Sequence, residues 1–287
     1  MKELTSVIVS YNVRDLILRC IASLRADGVD DIVVVDNAST DGSPEAIRRS
    51  EPDIRLLTLQ TNTGFGGGVN RAVARTDSQY VLVTTPDVVV EPGSTKALRT
   101  VLDDMPDVGL VAPRILTPDG DLYPSVRRFP SLVDAAGHAF LHFVWPSNPF
   151  SRRYKMSDWD HAVAADADWV AGTHFLVRRA AWDAVGGFDE QFFMFVEDVD
   201  LCWRLQEAGW RVRYEPAATI VHEISGSADQ TPYRMILEHH RSLYRFNRKR
   251  ARGVQRALLP VIGAALVVRT VLAWLQRAVR RKPHAAH

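Results

Sequence analysis

The chain has 287 residues, 46% of them hydrophobic, which suits one large domain, or one domain with a tail, and excludes a disordered chain. Its two cysteines, Cys20 and Cys202, lie far apart without metal-ligand spacing, which excludes a disulfide framework and points to a reducing compartment. The net charge of +1 hides an asymmetry: Arg241 to His287 holds 12 of the 35 Lys and Arg and no acidic residue, leaving 23 cations against 34 anions before it.

In chain order, Met1 to Ser6 leads straight into a strand-like run, with no signal peptide. Val7 to Tyr11 is short, apolar and β-branched, the pattern of a buried strand. Asp15 to Leu24 places Leu16, Cys20, Ile21 and Leu24 at helical spacing. Ile32 to Asp36 predicts a second buried strand, and Ser43-Pro44-Glu45 opens a helix with proline in its first turn. Ile54 to Leu59 is the third strand, Val69 to Arg75 the third helix and Tyr80 to Thr84 the fourth strand. Alternation at this spacing predicts an α/β fold with a mostly parallel sheet covered on both faces.

The second half is less regular. Asp119-Gly120-Asp121 marks a hairpin turn, and Ser131 to Trp145 is rich in aromatic and aliphatic residues, with His138 and His142 among them. Pro146 to Pro149 breaks the chain. Trp169 to Val177 reads as one strand and Arg179 to Val185 as a helix. No repeat or low-complexity linker intervenes before about residue 240. Residues 1–240 are therefore expected to form one domain, and 241–287 a tail.

In parallel sheets, ligands bind beyond the carboxyl ends of the strands. Polar clusters fall there: Ser10-Tyr11-Asn12 after the first strand, Asp36 to Gly42 after the second, Thr85-Pro86-Asp87 after the fourth. A carboxylate at Asp36 can accept hydrogen bonds from a base or a ribose, with Asn37 and Asp41 fixing its loop. Asn62 to Arg71 is a glycine-rich loop running into a helix, which suits close approach of backbone to phosphate. It is neither a P-loop nor a first-strand dinucleotide fingerprint. Asp87 is a candidate ligand for a diphosphate-bound divalent cation, with His222 as a second.

The run from Gly186 to Arg204 sets Glu197, Asp198 and Asp200 after four large apolar side chains and before a helix-like segment. Charges beside buried apolar surface are costly unless paired, metal-bound or used in chemistry. The plain alternative is a helix start, with Asp198 as cap and its neighbours favouring the positive end.

Val7–Asn12, Val33–Ser43, Asn62–Ala72, Thr85–Asp87, Gly172 and Gly186–Arg204 occur together and in this order. In them the chain resembles the family 2 inverting glycosyltransferases of the GT-A fold, over roughly residues 4–250. The resemblance implies a nucleotide-sugar donor, Mg²⁺ or Mn²⁺, and inversion at the anomeric carbon. It places Ser10, Tyr11, Asn12, Asp36, Asn37, Asn62, Gly64, Gly66, Arg71, Thr85 and Pro86 around the donor, with Asp36 reading the base. Asp87 and His222 hold the metal, and Asp198 is the catalytic base. Trp169, Gly172, Thr173 and Glu197 fall on the acceptor side. One departure stands out: Thr85 occupies the first position of the family's Asp-x-Asp motif, so metal binding rests on Asp87.

Pro118 to Ser125 and Phe143 to Pro149 resemble actinobacterial rhamnosyltransferases of the WbbL type. That resemblance implies transfer of L-rhamnose from dTDP-rhamnose to an N-acetylglucosaminyl diphospho-polyprenol. The chain lacks the Gln-x-x-Arg-Trp motif of polymerising relatives, which implies addition of a single sugar. In the tail, Leu258 to Val268 is apolar for only 11 residues, short of the roughly 20 that span a bilayer. Val271, Leu272, Trp274, Leu275 and Val279 continue at helical spacing towards Arg280-Arg281-Lys282. This predicts a basic amphipathic helix on the inner face of the cell membrane of a cytoplasmic protein. The alternative is a helix packed on the body or at a homodimer interface, and Ser131 to Trp145 is a second candidate for lipid contact. A sugar nucleotidyltransferase would carry a basic glycine-rich signature near the N-terminus, which is absent, and a non-catalytic sensor would lack the base. The acidic body and the aliphatic tail argue against nucleic acid as partner.

Overall fold

The computed structural model describes residues 2–129, 145, 148–150, 152, 156, 159–223 and 232–280. Four parallel strands come first: β1 (Leu4–Ser10), β2 (Ile32–Asp36), β3 (Arg55–Thr58) and β4 (Tyr80–Thr84), lying side by side as β3-β2-β1-β4. The helices α1 (Arg14–Ala26), α2 (Ser43–Ser50) and α3 (Gly64–Val73) make the crossovers. The strand residues alternate between two cores. Val7 and Val9 of β1 face the cluster that includes Val69 and Ala72 of α3, while Ile8 faces Ile17, Ile21 and Leu24 of α1. Each such fully buried side chain contributes about 1.5–3 kcal/mol.

The chain continues through β5 (Val88–Val90), α4 (Ser94–Asp104), β6 (Val108–Leu116), β7 (Leu122–Tyr123), β8 (Val126–Arg127), β9 (Ala165–Asp166), β10 (Trp169–Val170) and β11 (His174–Arg178). The helices α5 (Arg179–Val185) and α6 (Glu197–Glu207) precede β12 (Arg211–His222). The sheet extends as β4-β11-β6-β12-β5, with β11 antiparallel to both its neighbours and β12 parallel to β6. The hairpin expected at Asp119-Gly120-Asp121 joins β6 to β7.

Two differences from expectation bear on the site. The run Trp169 to Val177 is two strands, not one: β10 pairs with β8 in a small separate sheet, and β11 enters the main sheet. Between them the backbone is drawn out of register, the Ala171 amide donating to Ser125 and the Gly172 amide to Asp198. The third helix starts at Gly64, five residues before Val69, so the glycines are helical rather than a loop.

After β12, α7 (Pro232–Arg250) runs unbroken through residue 240, where the tail was expected to begin. A 3₁₀ turn (Gly253–Leu258) leads into α8 (Leu259–Arg280). The pair is an antiparallel hairpin: Trp274 Nε1 donates to the Tyr233 carbonyl, His240 meets Thr270 at 2.8 Å, and Gly263 lies against the Tyr244 ring. The helical stretch Gly253–Arg277 is long and apolar enough to cross a membrane, because Arg269 interrupts the apolar run without ending the helix. The 11-residue limit read from sequence is corrected accordingly. Ser131 to Trp145, with His138 and His142, lies outside the described residues except for Trp145, as do Arg281 and Lys282.

Candidate functional site

The predicted site residues meet at the carboxyl edge of the sheet. β1 ends at Ser10, β2 at Asp36 and β12 at His222, and Thr85 follows β4. The antiparallel register of β11 sets His174 opposite Thr84, which brings Gly172 and Thr173 to the same edge. The Thr85 amide donates to the Thr173 carbonyl at 2.8 Å, and the Gly172 amide to Asp198 Oδ2 at 2.9 Å. Adjacent residues thus tie the Thr85–Asp87 turn to Asp198.

Several polar atoms at this edge are buried without a hydrogen-bond partner: Ser10 Oγ, Asp36 Oδ1, Thr85 Oγ1, Asp87 Oδ1, His222 Nδ1 and Glu197 Oε2. Folded proteins satisfy the great majority of such atoms, and leaving one bare costs about 1–3 kcal/mol. Six along one edge mark a surface completed by a polar ligand. The local backbone agrees. Asn12, Ala38, Phe195 and Val196 all have positive φ, between 53° and 69°, and flank Ser10, Asp36 and Glu197. For a β-branched valine this conformation is strained, and such strain gathers at functional sites.

The remaining donor-side residues divide by role. Asp36 is fully buried and takes the Ser39 amide on Oδ2, leaving Oδ1 open. Asn12 accepts from the Thr40 amide and its own amide donates to Ser39 Oγ, pinning the two strand ends together; Tyr11 and Pro86 are half-buried beside them. Asn37 and Asn62 hold each other and the start of α3: Asn37 Nδ2 donates to Asn62 Oδ1 and to the Gly64 carbonyl, and Asn62 Oδ1 also takes the Gly64 amide. Both polar groups of Gly64 are therefore engaged within the protein.

The glycines serve packing. Gly64 has φ +78°, and a Cβ there would collide with the Phe193 carbonyl. A Cβ at Gly66 would meet Phe188 at 2.9 Å, and at Gly68 it would meet Val9 at 2.8 Å. Arg71 donates to the Gly67 carbonyl and pairs with Glu190 at 3.3 Å. The glycine-rich segment is the first turns of a helix rather than a loop, and small residues here let α3 approach β1 and the 188–193 segment.

Asp87 Oδ2 lies 3.1 Å from His222 Nε2, and β12 reaches this point through β5, where His222 is opposite Val88. The Glu223 amide donates to the Asp87 carbonyl, and Glu223 makes a two-pronged pair with Arg19 at 2.6 and 2.7 Å. The open Asp87 Oδ1 and His222 Nδ1 fit a divalent cation that takes one carboxylate and draws its other ligands from phosphate and water. No cluster of three or more His, Cys, Asp or Glu suited to a metal occurs among the described residues.

The three carboxylates of α6 part company. Asp200 is fully buried and pairs with Arg204 at 2.6 Å and with Lys249 of α7 at 2.8 Å, which makes it a structural anchor. Glu197 is buried, and that burial together with the charge of Asp198 pushes its carboxyl up to about 8. Asp198 is also raised, by burial, against the opposing pull of the Gly172 and Val199 amides and the Arg127 charge. Burial thus raises both carboxyls of the pair, Glu197 with the added charge of Asp198 beside it, while the Gly172 and Val199 amides and Arg127 favour the charged form of Asp198. Asp198 does not cap the helix; the cap position is Val196, and Asp198 lies in the first turn with Oδ1 on the Val199 amide. Trp169, expected on the acceptor side, is a core residue whose Nε1 donates to the Arg128 carbonyl. Its outer face carries Arg127, 5.1 Å from the ring centre. Arg127 was not singled out from the sequence, where nothing sets the pair Arg127-Arg128 apart from a solvated charge.

Residues 5–172 match the family described as Glycosyl transferase family 2. The N-acetylglucosaminyl-diphospho-decaprenol L-rhamnosyltransferase of Mycobacterium tuberculosis is 37% identical over 275 residues, covering 91% of this chain and 89% of the relative. Rhamnosyltransferase WbbL of Escherichia coli K12 is 28% identical, covering 75% and 81%. Among solved structures, the mannosyltransferase PcManGT from Pyrobaculum calidifontis, in complex with GDP-Man and Mn²⁺, superposes with a TM-score of 0.59 at 17% identity, covering 99% and 82%. GalNAc-T7 with UDP, GalNAc and Mn²⁺ gives 0.58 at 12% identity, covering 77% of this chain and 43% of that one. These neighbours share the GT-A fold. The match over the sheet and the full-length similarity to a rhamnosyltransferase agree with a strand-edge site and its paired carboxylates: the chain belongs to glycosyl transferase family 2 and is a glycosyltransferase.

Proposed function

We propose that this glycosyltransferase moves one L-rhamnosyl unit from dTDP-rhamnose to a polyprenyl-diphosphate-linked N-acetylglucosamine, with inversion at the sugar carbon. The observation that carries the reading is the raised, amide-oriented Asp198 beside a row of open buried polar atoms at the strand ends. The 37% identity to an enzyme named for this transfer supports the choice of sugar and acceptor.

Asp36 accepts from the base or ribose through its open Oδ1, with Ser10 and Thr85 presenting hydroxyls nearby on the same edge. Asp87 and His222 would hold a divalent cation, Mg²⁺ or Mn²⁺, which when bound would neutralise charge on the leaving nucleoside diphosphate. Asp198 takes the proton of the acceptor hydroxyl as that oxygen bonds to C1 and the C1–phosphate oxygen bond breaks. Direct displacement inverts the centre. The Gly172 and Val199 amides fix the carboxylate so that one oxygen lone pair faces the attacking hydroxyl. General-base help of this kind is worth roughly 10²–10⁴-fold. Glu197, protonated, is placed to donate a hydrogen bond to the acceptor sugar.

The lipid acceptor calls for a membrane surface. The α7–α8 hairpin provides it, with α8 lying on the cytoplasmic leaflet rather than crossing it, because one face of α8 is held against α7 by Trp274 and Thr270. Residues up to about 250, including α7, form the catalytic body, and α8 is the membrane-binding tail.

The test is Asp198→Asn, which keeps the shape and removes the basicity. Turnover is expected to fall by roughly 10²-fold or more while donor affinity, read by calorimetry, is retained. Near-normal turnover in that variant would reject Asp198 as the base.

A further inference from the structure

Between Asp198 and the outer face of α8 lies a group of cationic and imidazole side chains for which the sugar-transfer chemistry has no use. Arg127 sits across the β8–β10 pair from Trp169, its guanidinium 5.1 Å from the indole ring. Its positive charge acts on Asp198 and on His239 alike. His239 belongs to α7, and its ring lies 5.4 Å from that of Phe195, three residues before Asp198. It stacks on His240 at 5.6 Å, and His240 Nδ1 is 2.8 Å from Thr270 Oγ1 on α8. Arg269, next to Thr270, acts on both imidazoles. Burial, His240 and the two arginines bring the His239 imidazole down to about 4, so it is neutral and can donate one N–H.

The contacts form a chain: the loop that leads to Asp198 meets His239 at Phe195, His239 stacks on His240, His240 meets Thr270 beside Arg269, and α8 exposes Val268, Val271, Leu272 and Leu275. Arg127 joins from β8, opposite Trp169, three residues before the Gly172 amide that bonds Asp198. A polyprenyl-diphosphate sugar has its parts in the same order: the sugar hydroxyl, two phosphates, the hydrocarbon chain. Guanidinium groups offer planar forks of donors that match phosphate oxygens, and a neutral imidazole adds a single donor without charge repulsion. The rest of the body is acidic, so this is a local feature and not a general basic surface.

We propose that Arg127, His239 and Arg269 form a diphosphate-binding subsite that seats the acceptor's phosphates between Asp198 and the apolar face of α8. The proposal rests on the reading of the acceptor as a lipid diphosphate, and it assigns the part of the protein that tells such an acceptor from an uncharged glycoside of the same sugar.

The test compares two probes by calorimetry on the full chain: farnesyl-diphospho-N-acetylglucosamine and octyl N-acetylglucosaminide. The quantity read is the ratio of their affinities. In the unaltered chain the diphosphate probe binds tighter. Arg127→Gln and Arg269→Gln are each expected to reduce that ratio about tenfold, the effect of losing a charged hydrogen bond. Arg127→Lys and Arg269→Lys are expected to restore part of it, and raising the salt concentration to narrow it. A ratio unchanged in both Gln variants, or an equal loss for both probes, overturns the subsite. Sugar transfer is scored separately by product mass. If the ratio falls in the variants yet the unaltered chain transfers no sugar to the diphosphate probe, the subsite stands and the proposed reaction fails. If transfer occurs and the ratio does not move, the reverse holds.

Discussion

Glu197 and Asp198 adjoin in sequence, yet the fold surrounds them differently. Glu197 is buried with Oε2 unpartnered, whereas Asp198 has an amide on each oxygen. The consequence reaches stability as well as catalysis. A carboxyl that titrates near 4.5 when unfolded and near 8 when folded stabilises the fold fully below the lower value, and that contribution drains away as pH rises to the upper one. Glu197→Gln removes this slope. Its melting temperature is expected to fall less between pH 5 and pH 8 than that of the unaltered chain, by scanning calorimetry; parallel declines would contradict the assignment of Glu197 as the protonated partner. The sequence shows three acidic residues in four positions but not this division. What separates them is three-dimensional: Arg204 and Lys249 neutralise Asp200, and Lys249 comes from a helix 49 residues downstream.

At the scale of elements, the first half of the fold was legible because each strand is a short β-branched run and each helix has a clear start. The spans of β2, β4 and α5 agree with the sequence reading residue for residue. The glycine-rich segment misled for a physical reason. Gly64 to Gly68 suggest a loop by composition, but they are the first turns of α3, thinned so that the helix can lie against Phe193, Phe188 and Val9. A single strand from Trp169 to Val177 likewise looked natural from its apolar content, and only the partners at Ser125 and Asp198 divide it. In α8 the apolar face remains outward: Val261 and Val267 are each 65% exposed, Leu275 59% and Leu272 53%. Large apolar patches of this kind mark interaction surfaces. Leu272→Asp combined with Leu275→Asp places charge on that face without touching the α7 contacts. The doubly substituted chain is expected to lose most of its flotation with vesicles rich in anionic phospholipid, while keeping its melting temperature. Undiminished flotation would mean that α8 is not the membrane-binding element.

Across the whole molecule, one sheet edge gathers the open atoms of Asp36, Thr85, Asp87 and His222, and α7 covers the far side of the 192–196 segment that leads to Asp198. Asp198, the proposed base, thus lies between this polar edge and the α7–α8 hairpin, an arrangement that fits the proposed transfer from a soluble donor to a lipid-borne acceptor. The charge asymmetry first visible in the sequence, an acidic body before a basic C-terminal stretch, fits the membrane contact proposed above. What composition did not convey is that α7 is anchored to the preceding fold, by Ser242 on the Met194 carbonyl and by Lys249 on Asp189 and Asp200. The most direct measurement is to incubate the purified chain with a panel of nucleotide sugars, Mg²⁺ or Mn²⁺, and farnesyl-diphospho-N-acetylglucosamine, then determine product mass and anomeric configuration. The account predicts addition of one deoxyhexose, from dTDP-rhamnose alone, with configuration opposite to that of the donor. Addition of a different sugar, or a product that retains the donor's configuration, would contradict it.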